Sequence, residues 1–547
     1  MQRGNISVGY ALPGGRVPWW LARMAQALGP DAAPVRAQSL DLHGAGGSPD
    51  GRTLAASPSG ACRADGGLLA KPLAKPLGSL LALQRALSRP KNDVFLLVDA
   101  PGGAGVDVFT PDVTGPDVTG PGVAGPGVTG PDAVLSDLLV LPPGLTAGPQ
   151  LLARLPLGVL EIQPVTRADF GPGWVAGRVL WWRAGQGARV ACETFTSVQG
   201  SMPLAWAAPH AAKLALMPAR FLKRLALEGE ACWQECPSAR ETATGAISAA
   251  AAIAEWTRLA LGLCGHALWL LWRDVLHRRQ WHLAVRPGNA DPARPDFASA
   301  PFTPLLPPKG VGWADPVAVE RGGERYLFIE EIPPSGRGVI SVMRALPGGG
   351  WSAPRRVLEE PFHLSYPYVF EHDGQLYMIP ETSQAGQVRL YRAQDFPGGW
   401  VLVRVLLDGL CAVDATPLEH EGRWWLFVNV RPEGGSSWDE LHLYAAPSPL
   451  GPYEPHPLNP VVSDARRARP AGPVLRAGGR LYRPAQDCSG CYGRALAVME
   501  IERMDMTGYR ESQAARLEPG LIPGSFCLHT LVAQAGLEIV DGQRLTP

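Results

Sequence analysis

The sequence predicts a multidomain chain, with an α/β Rossmann-like unit in front and an all-β five-bladed propeller behind. Three observations predict it. A turn glycine recurs at Gly323, Gly374, Gly422, Gly479 and, more weakly, Gly536, at spacings of 51, 48, 57 and 57 residues; periods of that length belong to blades or solenoid units. Fixed offsets accompany the glycine: an aromatic three residues on (Tyr326, Tyr377, Trp425, Tyr482), a polar group seven on (Glu330, Glu381, Asn429, Gln486), and Asp315, Tyr366 and Asp414 eight before the first three. The front half instead alternates short apolar runs with helical patterns, the signature of βαβ units.

Each copy of the repeat reads as strand, tight turn, strand. Asp-Gly, Glu-Gly or Gly-Gly separates runs rich in β-branched and aromatic residues, the strongest short-range hairpin signal. Further runs such as Gly338-Val-Ile-Ser-Val-Met and Gln387-Val-Arg-Leu-Tyr-Arg bring the unit to about four strands, the size of a blade. The position eight before the glycine then opens the innermost strand and faces a central channel. Aliphatic residues would suffice there, yet the chain places acids and amides at both polar offsets. Burying a carboxylate without a partner costs several kcal/mol, roughly the penalty of an unpaired polar group or more. Such residues either pair with one another or line a wet cavity.

In the front unit, Asn5-Ile-Ser-Val-Gly-Tyr, Asp93-Val-Phe-Leu-Leu-Val, Ser136-Asp-Leu-Leu-Val-Leu and Gly158-Val-Leu-Glu-Ile read as strands, the later ones apolar enough for a parallel sheet. Residues 44–78 and 101–132 are low-complexity and read as disordered insertions. The expected organisation is 1–240 for the front unit, 241–300 for a helical linker and 301–547 for the propeller. Fifty basic and fifty acidic residues leave no formal net charge, so nothing draws the chain to nucleic acid or an anionic membrane. Ala246 to Trp272 is apolar, but Glu255, Arg258 and His266 interrupt it below the ~20 residues a span needs. With no secretory signal at the start, and nine cysteines lacking any framework or zinc-knuckle spacing, the expectation is a cytoplasmic protein with reduced thiols and no metal or other cofactor.

The phrases Trp313-Ala-Asp-Pro, Glu359-Glu-Pro-Phe-His-Leu-Ser-Tyr-Pro-Tyr-Val-Phe, Val413-Asp-Ala-Thr-Pro, Arg469-Pro-Ala-Gly, Arg483-Pro-Ala-Gln-Asp-Cys and Leu528-His-Thr resemble the propeller domain of the glucosamine inositolphosphorylceramide transferase N-terminal family. That domain is itself similar to five-bladed arabinanase- and xylosidase-type glycosidases. The glycosidase likeness implies a base on the first blade, a tuning acid on the second and a general acid on the third, an inverting pair standing roughly 6.5–9.5 Å apart. Asp315 matches the base; the second position is Tyr366 and the third Asp414, with Glu381 as an alternative proton donor. Asp315, Glu381 and Asp414 are therefore the candidate catalytic set. Glu330, His363, Tyr366, Asn429, Arg469, Gln486, Asp487 and His529 are the candidate sugar-binding set.

Residues 5–230 resemble a degenerate formyltransferase domain. Such enzymes carry Asn-x-His-Pro and a later Asp, whereas the matching phrase here is Glu161-Ile-Gln163-Pro164 and the later region reads Ser197-Val-Gln-Gly-Ser. Glutamine cannot titrate near neutral pH, so the resemblance implies lost acid–base chemistry. Three readings follow: a carbohydrate-active protein with a sugar or glycoconjugate in its channel, a non-catalytic module working beside polysaccharide-assembly proteins, and sugar N-formylation, which the missing set disfavours.

Overall fold

The computed structural model describes residues 149–198 apart from 164 and 166, 206–239, 278–288, 302–432 and 435–546. It also describes short strands at 8–10, 17–18, 97–98, 118–119, 138–141 and 146–147, and position 265. The insertion at 44–78, nearly all of that at 101–132, and the apolar stretch 246–272 apart from position 265 lie outside the described residues. Among the described residues, no helix is long and apolar enough to cross a membrane.

The front unit is a mixed sheet. Strands β1 (Val8–Tyr10), β2 (Leu138–Leu141) and β3 (Gly158–Ile162) run parallel, and β4 (Trp174–Arg183) and β5 (Gly187–Ser197) continue the sheet antiparallel. The β3 run is buried along its whole length, as a strand covered on both faces should be. Helix α1 (Ala207–Glu228) lies across β4 and β5. Its Met217, Phe221 and Leu225 pack with Trp181 and Trp233 into one core, at helical spacings that place them on a single face.

The described residues of 278–546 form five antiparallel sheets of four or five strands. The first four have Gly312–Arg321, Ser365–His372, Ala412–His420 and Arg469–Pro470 as innermost strands. The fifth is led by Leu531–Gln534. A separate apolar cluster fills each gap between neighbours. Val317 and Phe328 meet Met378 between the first and second sheets, Ile379 meets Ala415 between the second and third, and Phe427 meets Leu481 between the third and fourth. Leu496 meets Val540 between the fourth and fifth, and Ile539 meets Ile329 between the fifth and first. Each large aliphatic or aromatic side chain so buried contributes about 1.5–3 kcal/mol. Sheets packed face to face in succession, with the last against the first, make a propeller-like domain.

One assignment is corrected. Residues 278–287, expected within a helical linker, form strand Arg278–Pro287, which pairs antiparallel with Leu537–Thr546 over ten residues, from Arg278 opposite Thr546 to Pro287 opposite Leu537. The strand belongs to the fifth sheet, between Thr303–Leu305 and Leu537–Thr546. Hairpin glycines mark strands that pair with their neighbours in sequence. A strand whose partner is the far end of the domain carries no such mark.

Candidate functional site

The innermost strands of the first three sheets share one distortion. The ladder skips between Ala314 and Val317, between Ser365 and Tyr368, and between Val413 and Thr416. At these bulges Asp315, Tyr366 and Asp414 hold φ of 50°, 46° and 53°. Side chains other than glycine adopt that conformation at a cost of about 1–3 kcal/mol, and a bulge re-aims the side chain it carries. Directly before each bulge stands the partner of a residue seven after a turn glycine: Ala314 faces Glu330, Ser365 faces Glu381 and Val413 faces Asn429. In the fourth sheet Arg469 faces Gln486. Both polar offsets of the repeat thus lie at one end of the sheets.

What they build is a buried ionic network. Asp414 accepts from Arg469 Nε (2.6 Å) and Nη2 (3.3 Å), and Gln486 Nε2 donates to it at 3.0 Å. Arg469 Nη2 also stands 3.5 Å from Glu381 Oε2, and Nη1 donates to the Ser437 carbonyl at 3.3 Å. Burial, with Asp414 close by, pushes the Glu381 carboxyl up to about 7, Arg469 opposing. A hydrogen bond to Asp414 favours the neutral form of Glu381 further, and one from Ser383 opposes it.

Beside that pair lies a second one. The Asp315 carboxylate accepts the Tyr366 N–H at 3.1 Å and places its other oxygen 3.3 Å from His529 Nδ1. Asp541, which sequence reasoning missed, stands 3.1 Å from the same nitrogen and accepts from the amides of Asp315 and Thr530. Facing the Asp541 carboxylate, Nδ1 donates. Burial alone would favour neutral imidazole, but Asp541 and then Asp315 outweigh it and hold His529 up at about 9. Burial likewise raises Asp315 well above the ordinary carboxyl range, while the His529 charge brings Asp541 below it against its own burial. Asp315, His529 and Asp541 each offer a ligand atom within 4.8 Å of the others, a donor set that would fit a cation only after losing the Nδ1 proton.

Tyr366 is a structural hinge of this centre. Its hydroxyl accepts the Gly472 N–H at 2.8 Å and meets Thr416 Oγ1 at 2.8 Å, and Thr416 donates to the Asp414 carbonyl. Gly472 sits at φ 127°, where an added Cβ would lie 2.2 Å from the Leu531 carbonyl oxygen. Gly472→Ala is therefore expected to lose at least about 1–3 kcal/mol of stability, read from urea midpoints. A loss below roughly 0.5 kcal/mol, the range of an inconsequential surface change, would contradict it.

Three rings line the half-buried side: Trp281 is 4.8 Å from the His529 ring, Tyr492 is 4.9 Å from it, and Trp438 is 6.0 Å from Tyr492 at an interplanar angle of 32°. The Tyr492 hydroxyl pairs with His529 Nε2 at 2.6 Å, and its ring lies beneath the Arg469 guanidinium. None of the three rings occupies a repeat offset, so the ruler that found the acids passed over them.

The structure gathers Asp315, Tyr366, Glu381, Asp414, Arg469, Gln486 and His529 in this network. Glu330 and His363 form a neighbouring pair at 2.9 Å, with His363 Nδ1 accepting the Gly338 N–H. Asn429 is fully buried, its amide between the Ser437 carbonyl and the Glu440 N–H, at 2.8 and 3.3 Å. Asp487 stands apart, bound to Arg516 at 2.6 Å and to Ser489 of its own turn. Near Arg469 in sequence, Arg466 and Arg467 close back on Asp464 and stay outside the network that Arg469 enters.

Fold and site together define a propeller-like domain with a buried charged centre and an aromatic wall. Residues 309–518 match the family model described as glucosamine inositolphosphorylceramide transferase 1, N-terminal. Among similar curated proteins, the glucosamine inositolphosphorylceramide transferase 1 of Oryza sativa subsp. japonica is 38% identical over 203 residues, 36% of this chain and 27% of that protein. The protein of the same name from Arabidopsis thaliana is 34% identical over 248 residues, 43% of this chain and 32% of its own length. The chain thus spans about a third or less of these relatives. Among solved structures, a GH43_1 enzyme from Xanthomonas citri is similar, with 13% identity, a TM-score of 0.33, and coverage of 43% of this chain and 87% of that one. None of these likenesses supports the formyltransferase resemblance of residues 5–230.

Proposed function

We propose that residues 278–546 form a five-bladed propeller whose centre binds a sugar or glycoconjugate, in glycan or glycolipid assembly. The observation that carries this reading is the row of Trp281, Tyr492 and Trp438 beside a fixed array of donors and acceptors on Arg469, Glu381 and His529. Aromatic faces accept the apolar face of a pyranose, and a few placed polar groups select its hydroxyls. The names of the relatives, which speak of glucosamine and of transfer, agree with that ligand class. The front unit, read as a Rossmann-like scaffold, and the cytoplasmic setting are parts of the same proposal.

A glycan-array screen of the whole chain tests it. Wild type is expected to retain a defined subset of glycans, and Trp438→Ala to weaken that binding about tenfold or more, the usual cost of truncating a central tryptophan. Asp315→Ala should weaken it as well. If wild type retains nothing, or if both variants bind as it does, the reading falls.

Glu381 favours a second reading, acid–base chemistry on the bound sugar. A carboxyl held near 7 is poised to give a proton at neutral pH. Asp414, gripped by Arg469 and Gln486, is not free to take that role, and Asp315 would serve as base. On this reading Glu381→Gln abolishes cleavage of alkyl glycosides, whose leaving group needs the proton, while costing less glycan affinity than Trp438→Ala does.

A further inference from the structure

The two loops that carry Trp438 and Tyr492 are both held from behind by the front unit. Trp438 is followed by Asp439 and Glu440, each buried. Asp439 Oδ2 accepts from Lys213 Nζ at 3.0 Å, with both side chains essentially sealed from water. Glu440 Oε2 accepts from Arg220 Nη2 at 2.7 Å, and its other oxygen accepts from Ser463 Oγ, which pairs with Thr194 Oγ1 at 2.8 Å. Lys213 and Arg220 stand seven residues apart on α1, two helical turns along one face. Immediately before Trp438, the Ser437 carbonyl is the one that Arg469 engages. A single short segment therefore joins α1 to the aromatic wall and to the ionic network.

The loop of Tyr492 is fastened in the same way. Ser197 Oγ, at the end of β5, donates to the Cys488 carbonyl at 2.7 Å and accepts the Gly490 N–H at 3.1 Å. Arg494 Nη1 donates to the Pro172 carbonyl at 3.0 Å. At Gly173 an added Cβ would fall 2.6 Å from the Gly490 nitrogen, so the two backbones are in contact. Phe195 bridges to Asp464 and accepts the Ala465 N–H, and Arg466 caps its ring. A buried ion pair is a poor source of net stability, because desolvation offsets its attraction; what it fixes well is register.

We infer that the front unit completes the propeller's site: Lys213 and Ser197 are positioning residues that set the Trp438 and Tyr492 rings, although neither reaches the ligand's place. The inference rests on the carbohydrate-site reading for its purpose, but its geometry is testable without a ligand. The front unit, whatever ancestry it has, is then a part of the binding machinery, and anything that loosens α1 from the propeller changes the wall.

The test uses the full chain labelled with 5-fluorotryptophan or 3-fluorotyrosine, with signals assigned through Trp438→Phe, Trp281→Phe and Tyr492→Phe. Lys213→Met paired with Asp439→Asn cuts the link without stranding a buried charge. It is expected to shift or broaden the Trp438 fluorine signal while leaving that of Trp281, anchored on Arg278–Pro287, in place. Ser197→Ala, a milder change that guards against misfolding, should move the Tyr492 signal, and Ser197→Thr should restore it. Affinity for whichever glycan wild type captures should fall about fivefold in the paired variant, a coupling of ordinary size. Unmoved Trp438 and Tyr492 signals in folded variants would overturn the inference. Should wild type capture no glycan, the functional reading fails, and the fluorine signals still decide whether the front unit sets the wall.

Discussion

Replacing Arg469 with methionine is expected to remove about 3–5 kcal/mol of stability, the usual cost of breaking a buried ion pair from one side. The guanidinium is 8% exposed and serves Asp414 and Glu381 at once, with the Ser437 carbonyl as a third partner. Without it two buried acids face each other with no counter-charge. Gln486 still donates to Asp414 and Ser383 to Glu381, at 3.0 and 2.7 Å, but neutral donors cannot replace a charge in a low-dielectric site. The variant should keep the Glu381 proton to higher pH than wild type does, since Arg469 opposes that proton. Lysine at this position should recover only part of the loss, because an ammonium cannot repeat the two-pronged contact. Equilibrium urea unfolding at pH 7 measures the effect, and a loss under about 1 kcal/mol, typical of exposed pairs, would show that the network is not a closed ionic unit.

The stability that Glu381 and His529 supply should fall as pH rises from about 5 to about 9. His210 and His442, lowered to about 4 by burial, work the other way below about 6.5, and His363, raised to about 9, adds to the later loss. Glu381 has an ordinary value of 4.5 and is raised to about 7, so its protonated form favours folding; that contribution is full below 4.5 and is lost through 7. His529 is raised from 6.5 to about 9, so its contribution is full below 6.5 and lost through 9. Asp541 works the other way. Held below 3.8, it contributes above that value and loses its share as pH falls through its lowered pKa. Shifts of the size seen for Glu381 and His529 each correspond to about 3 kcal/mol by linkage. Urea midpoints at pH 5, 7 and 9, taken as differences between wild type and each variant, should therefore separate two stages of loss. Glu381→Gln should flatten the first stage and His529→Gln the second. Difference profiles level across this range for both variants would refute the charge assignments.

Much of the propeller-like domain was legible because its repeat is written in local terms. A hairpin glycine, the aromatic after it and the polar residues flanking it all lie within one turn and two strands. Asp315, Tyr366 and Asp414 could be picked out without coordinates for that reason. Their bulges and positive φ could not, since no residue type there announces them: tyrosine is an unlikely choice for that backbone. The partners supplied by distant chain were hidden as well. Asp541 follows no repeat offset, Trp281 sits on a strand read as linker, and Trp438 stands in the stretch before Glu440–Ala446. Asp487 went astray in the opposite sense. It adjoins Gln486 in sequence, but successive side chains on a strand point to opposite faces, and it turns to Arg516 instead.

The pairing of Arg278–Pro287 with Leu537–Thr546 has a consequence for how this domain comes into being. Its first strand leaves the ribosome well before the residues that will flank it, and waits through four sheets with one long edge unsatisfied. Only when Leu537–Thr546 emerge can that edge be covered and the circle fastened. The domain is therefore assembled like a bracelet with its clasp in two halves. The strands at its two ends form one structural element.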